Sequence, residues 1–142
     1  MIKFLVNTRP KPQQRHRSRG GRFQYDPSAK DKKDFLLQCK QYAPPRPTDK
    51  EIEMELTFCY KRPRSHYRSK NKELILKEDA KFYKSSKADI DNLVKFVCDS
   101  LNGTFYKDDA QIVSLSAYKV WGSEDYVYVN MSHTKKYVKL KE

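Results

Sequence analysis

Three cysteines, Cys39, Cys59 and Cys98, are all this chain has, with no CxxC pair among them. An odd number at wide spacing argues against a disulfide framework and a zinc knuckle, and fits a reducing cytoplasm. Long apolar runs are missing too: no segment approaches the roughly 20 residues of a membrane span. The start, MIKFLVNTRPKPQQRHRSR, sets its few apolar residues ahead of a basic run. A secretory signal needs the opposite order, so a soluble intracellular protein is expected. Acids are scarce, 18 Asp+Glu against 30 Lys+Arg, which leaves a net charge of +12. That excess points to a polyanionic partner. Ribosomal proteins and simple DNA binders share it, so charge alone does not identify an enzyme.

Enough is present to build a core. Apolar residues make up 37% of the 142 positions, with ten Tyr and seven Phe. Wholesale disorder is excluded, and the length suits one domain over 1–142. At that size folding buries roughly two-thirds of the unfolded surface without metal or disulfide support.

IKFLV at Ile2–Val6 reads as a short strand. DPSAKDKKDFLLQCKQYAPP reads as a helix, with Asp26 as N-cap, Pro27 at the first helical position and Pro44-Pro45 as the stop. Its apolar stripe is Phe35, Leu36, Cys39, Tyr42 and Ala43. EIEMELTFCY alternates strictly: Ile52, Met54, Leu56, Phe58 and Tyr60 share one face of a half-buried strand. Glu51, Glu53 and Glu55 on the other face read as a solvated or salt-bridged surface, with metal ligation as the alternative. QIVSLSAYKVW and DYVYVNMS are two more strands, and the GSE between them suggests a hairpin. The expected fold is a small α+β domain with a mixed sheet and two flanking helices.

Two stretches are conspicuously basic. A mobile loop over about 8–24 carries Arg9, Lys11, Arg15, Arg17, Arg19 and Arg22 without an acid. A connection over about 61–87 holds ten basic residues and three acids, with Tyr67, Phe82 and Tyr83 interspersed. A short helix or hairpin is expected around KELILKEDAKFY. Its aromatics either stack on unpaired bases or pin the loop to the core. From these stretches, Arg9, Arg15, Arg17, Arg19, Arg22, Lys61, Arg62, Arg64, Arg68, Lys84 and Lys87 are the expected contacts to nucleic-acid phosphate.

Against that background, KADIDNLVKFVCDSLNGTFYKDDAQIV gathers Asp89, Asp91, Asp99, Asp108 and Asp109. With Asp89 as N-cap, Ile90, Leu93, Val94, Val97, Cys98 and Leu101 form one helical stripe ending at Asn102-Gly103. Asp89 and Asp91 fall on the first turn, off that stripe, and Lys95 lies one turn beyond Asp91. Helix capping accounts for one of these acids well and a second tolerably, at about 0.3–1 kcal/mol each. It does not account for Asp108-Asp109. Phosphodiester cleavage does, because Lys and Arg hold the backbone while carboxylates hold the divalent metal that activates water.

DIDNLVKFVCDSLNG followed by YKDDAQIV resembles the RusA family of Holliday-junction resolvases. That signature is D-x-D-N-L-x-K, a helix ending in D-x-L, then D-D-x-Q-V/I-V; every element is present in order. GRFQYDPSAK resembles the start of the first helix in phage and prophage members. The resemblance implies a RusA-like fold and a homodimer, in a bacterial or phage-infected cell, that nicks four-way DNA junctions symmetrically with Mg²⁺. Mn²⁺ is an expected substitute, and neither a small-molecule cofactor nor a membrane is involved. Carried over by position, the metal-binding acids are Asp89, Asp91 and Asp109, and the catalytic lysine is Lys95. Asp108 supports the site or caps a turn, while Asn92 and Gln111 orient it. The chain departs from the shorter enterobacterial form in its longer stretch at Lys61–Lys87. Two alternatives stay open: a non-catalytic basic nucleic-acid-binding protein, and a metal-dependent nuclease for other branched DNA or RNA. His16, His66 and His133 lack any fixed spacing and read as loop histidines.

Overall fold

Strict alternation at positions 52–60 forms the middle of the molecule. A computed structural model, which describes residues 1–21 and 23–134, contains eight strands and two α-helices in these residues. They run β1 (Ile2–Val6), β2 (Arg17–Arg19), β3 (Phe23–Tyr25), α1 (Ala29–Cys39), β4 (Ile52–Lys61), β5 (Tyr67–Lys70), β6 (Glu73–Leu76), α2 (Ile90–Leu101), β7 (Ile112–Gly122) and β8 (Tyr126–His133). The main sheet has the order β1-β8-β4-β7. β8 is antiparallel to both β1 and β4, and β4 is parallel to β7. This is the expected α+β domain with a mixed sheet.

The sheet order corrects the expected hairpin. β7 and β8 are consecutive and antiparallel, yet β4 lies between them. Burial explains the preference: Ile52, Met54, Leu56, Phe58 and Tyr60 are each at most 3% exposed, which a central strand achieves and an edge strand does not. A parallel β4–β7 pair also needs a long crossover, and α2 supplies it. The link from β7 to β8 passes the end of β4, where Asp125 accepts a hydrogen bond from the Lys61 amide at 2.8 Å. On β8, Val127, Val129 and Met131 are buried as their alternation predicts; on the edge strand β7, Val113 and Leu115 remain exposed.

Both helices cover one sheet face. α2 buries Leu93, Phe96, Val97, Cys98 and Leu101. Phe96 falls outside the expected stripe, because α1 packs beside α2 and widens its buried arc; the Phe35 and Phe96 rings meet edge-on at 5.8 Å. Ile90, expected in the stripe, is 38% exposed. α1 begins later than expected, with Ser28 rather than Asp26 as N-cap. Asp26 instead accepts from the Ser28 amide and Gln13 Nε2, and pairs with Lys32. Lys32 also reaches Asp99 on α2 at 3.7 Å, so one ammonium ties the two helices. Burial acts to raise the Asp26 carboxyl, but those donors outweigh it and lower it to about 2. The opposite sheet face carries Glu53 and Glu55, as expected of a half-buried strand. The cysteines are buried and unpaired.

The first basic stretch, expected as a mobile loop, folds more than expected, and the second forms a hairpin that starts upstream of the expected place. β2 and β3 pair as an antiparallel hairpin, with positive φ at Gly20 and Gly21 after β2. Tyr67–Leu76 forms the β5–β6 hairpin, turning at Asn71 and Lys72.

Candidate active site

The chain enters α2 under restraint from three sides. Lys119 on β7 donates from Nζ to the Ser86 and Ala88 carbonyls, at 2.6 and 2.5 Å. The Gln13 backbone N–H donates to the Asn92 backbone carbonyl at 2.9 Å, so the segment after Pro12 lies against the first turn of α2. Lys84 fixes the near end of the same segment: its ammonium sits 4.6 Å from the Tyr60 ring and bonds Ser86 Oγ at 3.1 Å.

On this frame Asp89 is the N-cap residue, yet its side chain makes no capping hydrogen bond. Asp91 and Lys95, one turn apart, are exposed like Asp89, and Asn92 is half-buried between them. None of the ion pairs among the described residues uses Asp89, Asp91 or Lys95. Asp91 borders a shallow hollow lined by Ile90, Val94, Leu115 and Ala117. The Asp89, Asp91 and Lys95 side chains have neither an ion-pair partner nor a capping bond among the described residues, which leaves the two acids only the favourable field of the helix start.

Asp108 and Asp109 stand elsewhere. Asp108 Oδ1 accepts from the Ala110 amide at 3.1 Å and the Gln111 side chain bonds back to the Asp108 amide at 2.8 Å, a capping box on the turn Asp109–Gln111. Gln111 Nε2 also donates to the Thr48 and Lys50 carbonyls at 2.9 Å, locking that turn to the approach to β4. The hydrogen bond shared with Asp108 raises the Asp109 carboxyl, with burial and the charges of Asp108 and Asp99 adding to it. Asp108 is held low, chiefly by the Ala110 amide. Asp109 thus neighbours Asp99, ten residues along α2 from Asp89, an axial distance of about 15 Å. The chain brings Asp89, Asp91 and Lys95 together and places Asp108 and Asp109 at the other end of the helix. Among the described residues no three His, Cys, Asp or Glu side chains are grouped to hold a metal.

The basic residues divide by employment. Arg15, Arg17, Arg19, Lys61, Arg64, Arg68 and Lys87 are exposed, and Arg9 is exposed while pairing with Asp125 at 3.6 Å. Arg22 lies outside the described residues. Arg62 is committed inward, donating to the Lys81 carbonyl at 2.8 Å. Lys84 departs from the expected phosphate contact: it is 6% exposed, and burial followed by the charges of Lys119 and Arg9 lowers its pKa. Its sequence neighbours gave no sign of this, because the Tyr60 and Trp121 rings that enclose it come from β4 and β7. Lys119, which sequence reasoning passed over as one strand residue among many, is the group that holds the entry to α2. The histidines lie apart, His66 against Trp121, His133 against Thr48 and His16 on the surface.

A family model described as Endodeoxyribonuclease RusA matches residues 6–132. The uncharacterized protein YqaN of Bacillus subtilis (strain 168) is 35% identical over 136 residues, covering 90% of this chain and 93% of its own length. No helix in the described residues is long and apolar enough to cross a membrane.

Proposed function

Since this chain belongs to the RusA endodeoxyribonuclease family, we propose that it is a Mg²⁺-dependent, structure-selective endonuclease that resolves four-way DNA junctions by paired symmetric nicks. The observation that carries this reading is the set Asp89, Asp91 and Lys95: exposed, unpaired and fixed on the first turns of α2 inside a strongly basic chain. A non-catalytic DNA-binding protein has no use for such acids except capping, and the Asp89 carboxylate does not cap.

Two exposed carboxylates fit Mg²⁺, which takes one or two carboxylates, keeps several waters and completes its shell with substrate phosphate. Mn²⁺ suits the same oxygens. When bound, the ion supplies an activated water and charge neutralisation at the phosphate. Asp89 and Asp91 would hold it beside the DNA backbone. Lys95 places a positive charge where the phosphate or leaving oxygen gains negative charge. Asn92 and Gln111 orient these elements, and Asp108 keeps the turn of Asp109 in shape. Asp109, at the far end of α2, joins the other two acids across a pair of chains rather than within one. A homodimer also meets the need for two coordinated nicks, and the exposed Ile90 and Leu115, beside half-buried Val94 and next to Asp91, offer a face for the second copy. The exposed Arg15, Arg17, Arg19, Arg64, Arg68 and Lys87 contact phosphate without reading sequence.

Incubating the purified chain with a labelled four-way junction, with Mg²⁺ or EDTA, tests the assignment. Symmetric nicks are expected only with the metal, and a gel shift with or without it. Robust cutting in EDTA would remove the carboxylate–metal mechanism.

A further inference from the structure

Phe82 and Tyr83 are 61% and 60% exposed, in a connection that holds ten basic residues and three acids. Rings this exposed give up most of the stabilisation that burial would bring. They are nonetheless held firmly from below. The Trp121 amide donates to the Phe82 carbonyl at 2.9 Å, Tyr83 pairs with Val120 across an antiparallel bridge, and the Lys84 amide donates to the Lys119 carbonyl at 3.0 Å. The segment therefore lies as a short extra strand on the outer edge of β7. The rings contact each other edge to face, centroids 5.0 Å apart at 82°. That arrangement offers one ring as a floor and the other as a wall. The same β7 residue that holds Lys84, namely Lys119, holds the Ser86 and Ala88 carbonyls just before Asp89. The aromatic pair and the segment that leads into Asp89 are thus tied to one strand, β7.

Resting on the reading of this chain as a DNA endonuclease, we infer that Phe82 and Tyr83 form a stacking platform for an unpaired base next to the scissile phosphate. Stacking needs an exposed π-face, a rigid support and nearby cations for the backbone, and Lys81 and Lys87 flank the pair on the surface. Pinning the loop to the core, the other use of these aromatics, is excluded by their exposure. Every base has a π-face, so the platform selects splayed bases at a branch over paired ones without selecting sequence. It lies in the Lys61–Lys87 stretch and gives that stretch a role.

The test compares binding of an oligothymidylate with an abasic oligonucleotide of equal length, in EDTA, by fluorescence anisotropy. The wild-type chain is expected to prefer the oligothymidylate by about tenfold or more, the range for loss of one stacked base. Phe82→Ala/Tyr83→Ala is expected to bind both equally, with an unchanged melting temperature, and to lose the same factor in its preference for a four-way junction over linear duplex. Equal binding of both oligonucleotides by the wild type, or an unchanged preference in the variant, overturns the platform. So does a variant that turns monomeric and loses duplex and junction binding alike, which assigns the rings to contact between copies. Failure of the function reading is separate: a wild type that prefers the oligothymidylate but never nicks a junction keeps the platform and loses the resolvase.

Discussion

Replacing Asp89 or Asp91 by Asn separates capping from catalysis, because the structure sets the two effects at different sizes. The Asp89 side chain makes no capping hydrogen bond, so the amide removes only its charge at the helix start. Asp91 is exposed, and no ion pair among the described residues involves it. The loss is then the macrodipole contribution, about 0.3–1 kcal/mol for each position. For a chain of this length that is a fall in melting temperature of about 1–3 °C. Catalysis responds on another scale. A neutral amide oxygen is a far poorer Mg²⁺ ligand than a carboxylate, and metal stabilisation of the transition state amounts to several kcal/mol. Losing about 3 kcal/mol lowers the rate by about a hundredfold. Junction affinity should hold or rise, since a charge that repels phosphate has gone. Single-turnover nicking of a labelled junction, gel-shift affinity and thermal melting give the three numbers. If Asp91→Asn melts within 3 °C of the wild type and nicks at the wild-type rate, the active-site assignment is wrong.

Gly122→Ala should cost about 1–3 kcal/mol, because an added Cβ would lie 2.4 Å from Cys59 Sγ in a filled interior. Combined with Cys59→Ala, which removes that sulfur, it should cost little beyond Cys59→Ala alone; simple additivity in denaturant melts would refute the clash. Asp26→Asn should lose about 1–2 kcal/mol at neutral pH through its bonds to Lys32, Gln13 and Ser28. The folded carboxyl lies at about 2, below its ordinary 3.8, so its stabilisation is full above pH 4 and disappears as pH falls through 2. The gap between wild type and variant should close over that window, and a constant gap would refute the assignment. Arg15, Arg17 and Arg19, all exposed around β2, should carry counterion-releasing contacts. Replacing all three by Ala should flatten the log–log salt dependence of duplex binding by about 2–3. An unchanged slope would move the contacts to the 61–87 stretch.

Local pattern was enough for much of this molecule. The stripe of α2 and its Asn102-Gly103 end, the alternation of β4, and the clustering of Asp89, Asp91 and Lys95 on one helix start are all properties of neighbours in sequence. Helical and strand periods express such properties directly. The α+β class follows from the order of those elements. Other features depend on residues far apart in the chain. That β4 separates β7 from β8 is decided by which strand gains most from burial on both edges, a comparison no hairpin signal contains. Phe96 is buried because α1 lies beside α2, and Lys84 because two rings from different strands close over it. Asp109 stands at the opposite end of α2 from Asp89 although only twenty positions separate them, because the helix length sets that distance. The exposure of Phe82 and Tyr83 was equally undecided by their spacing among lysines. Sequence period assigns a side chain to a face of its own element. Whether another element covers that face is settled by packing, and here packing left the Phe82 and Tyr83 rings and the Asp89 and Asp91 carboxylates in water.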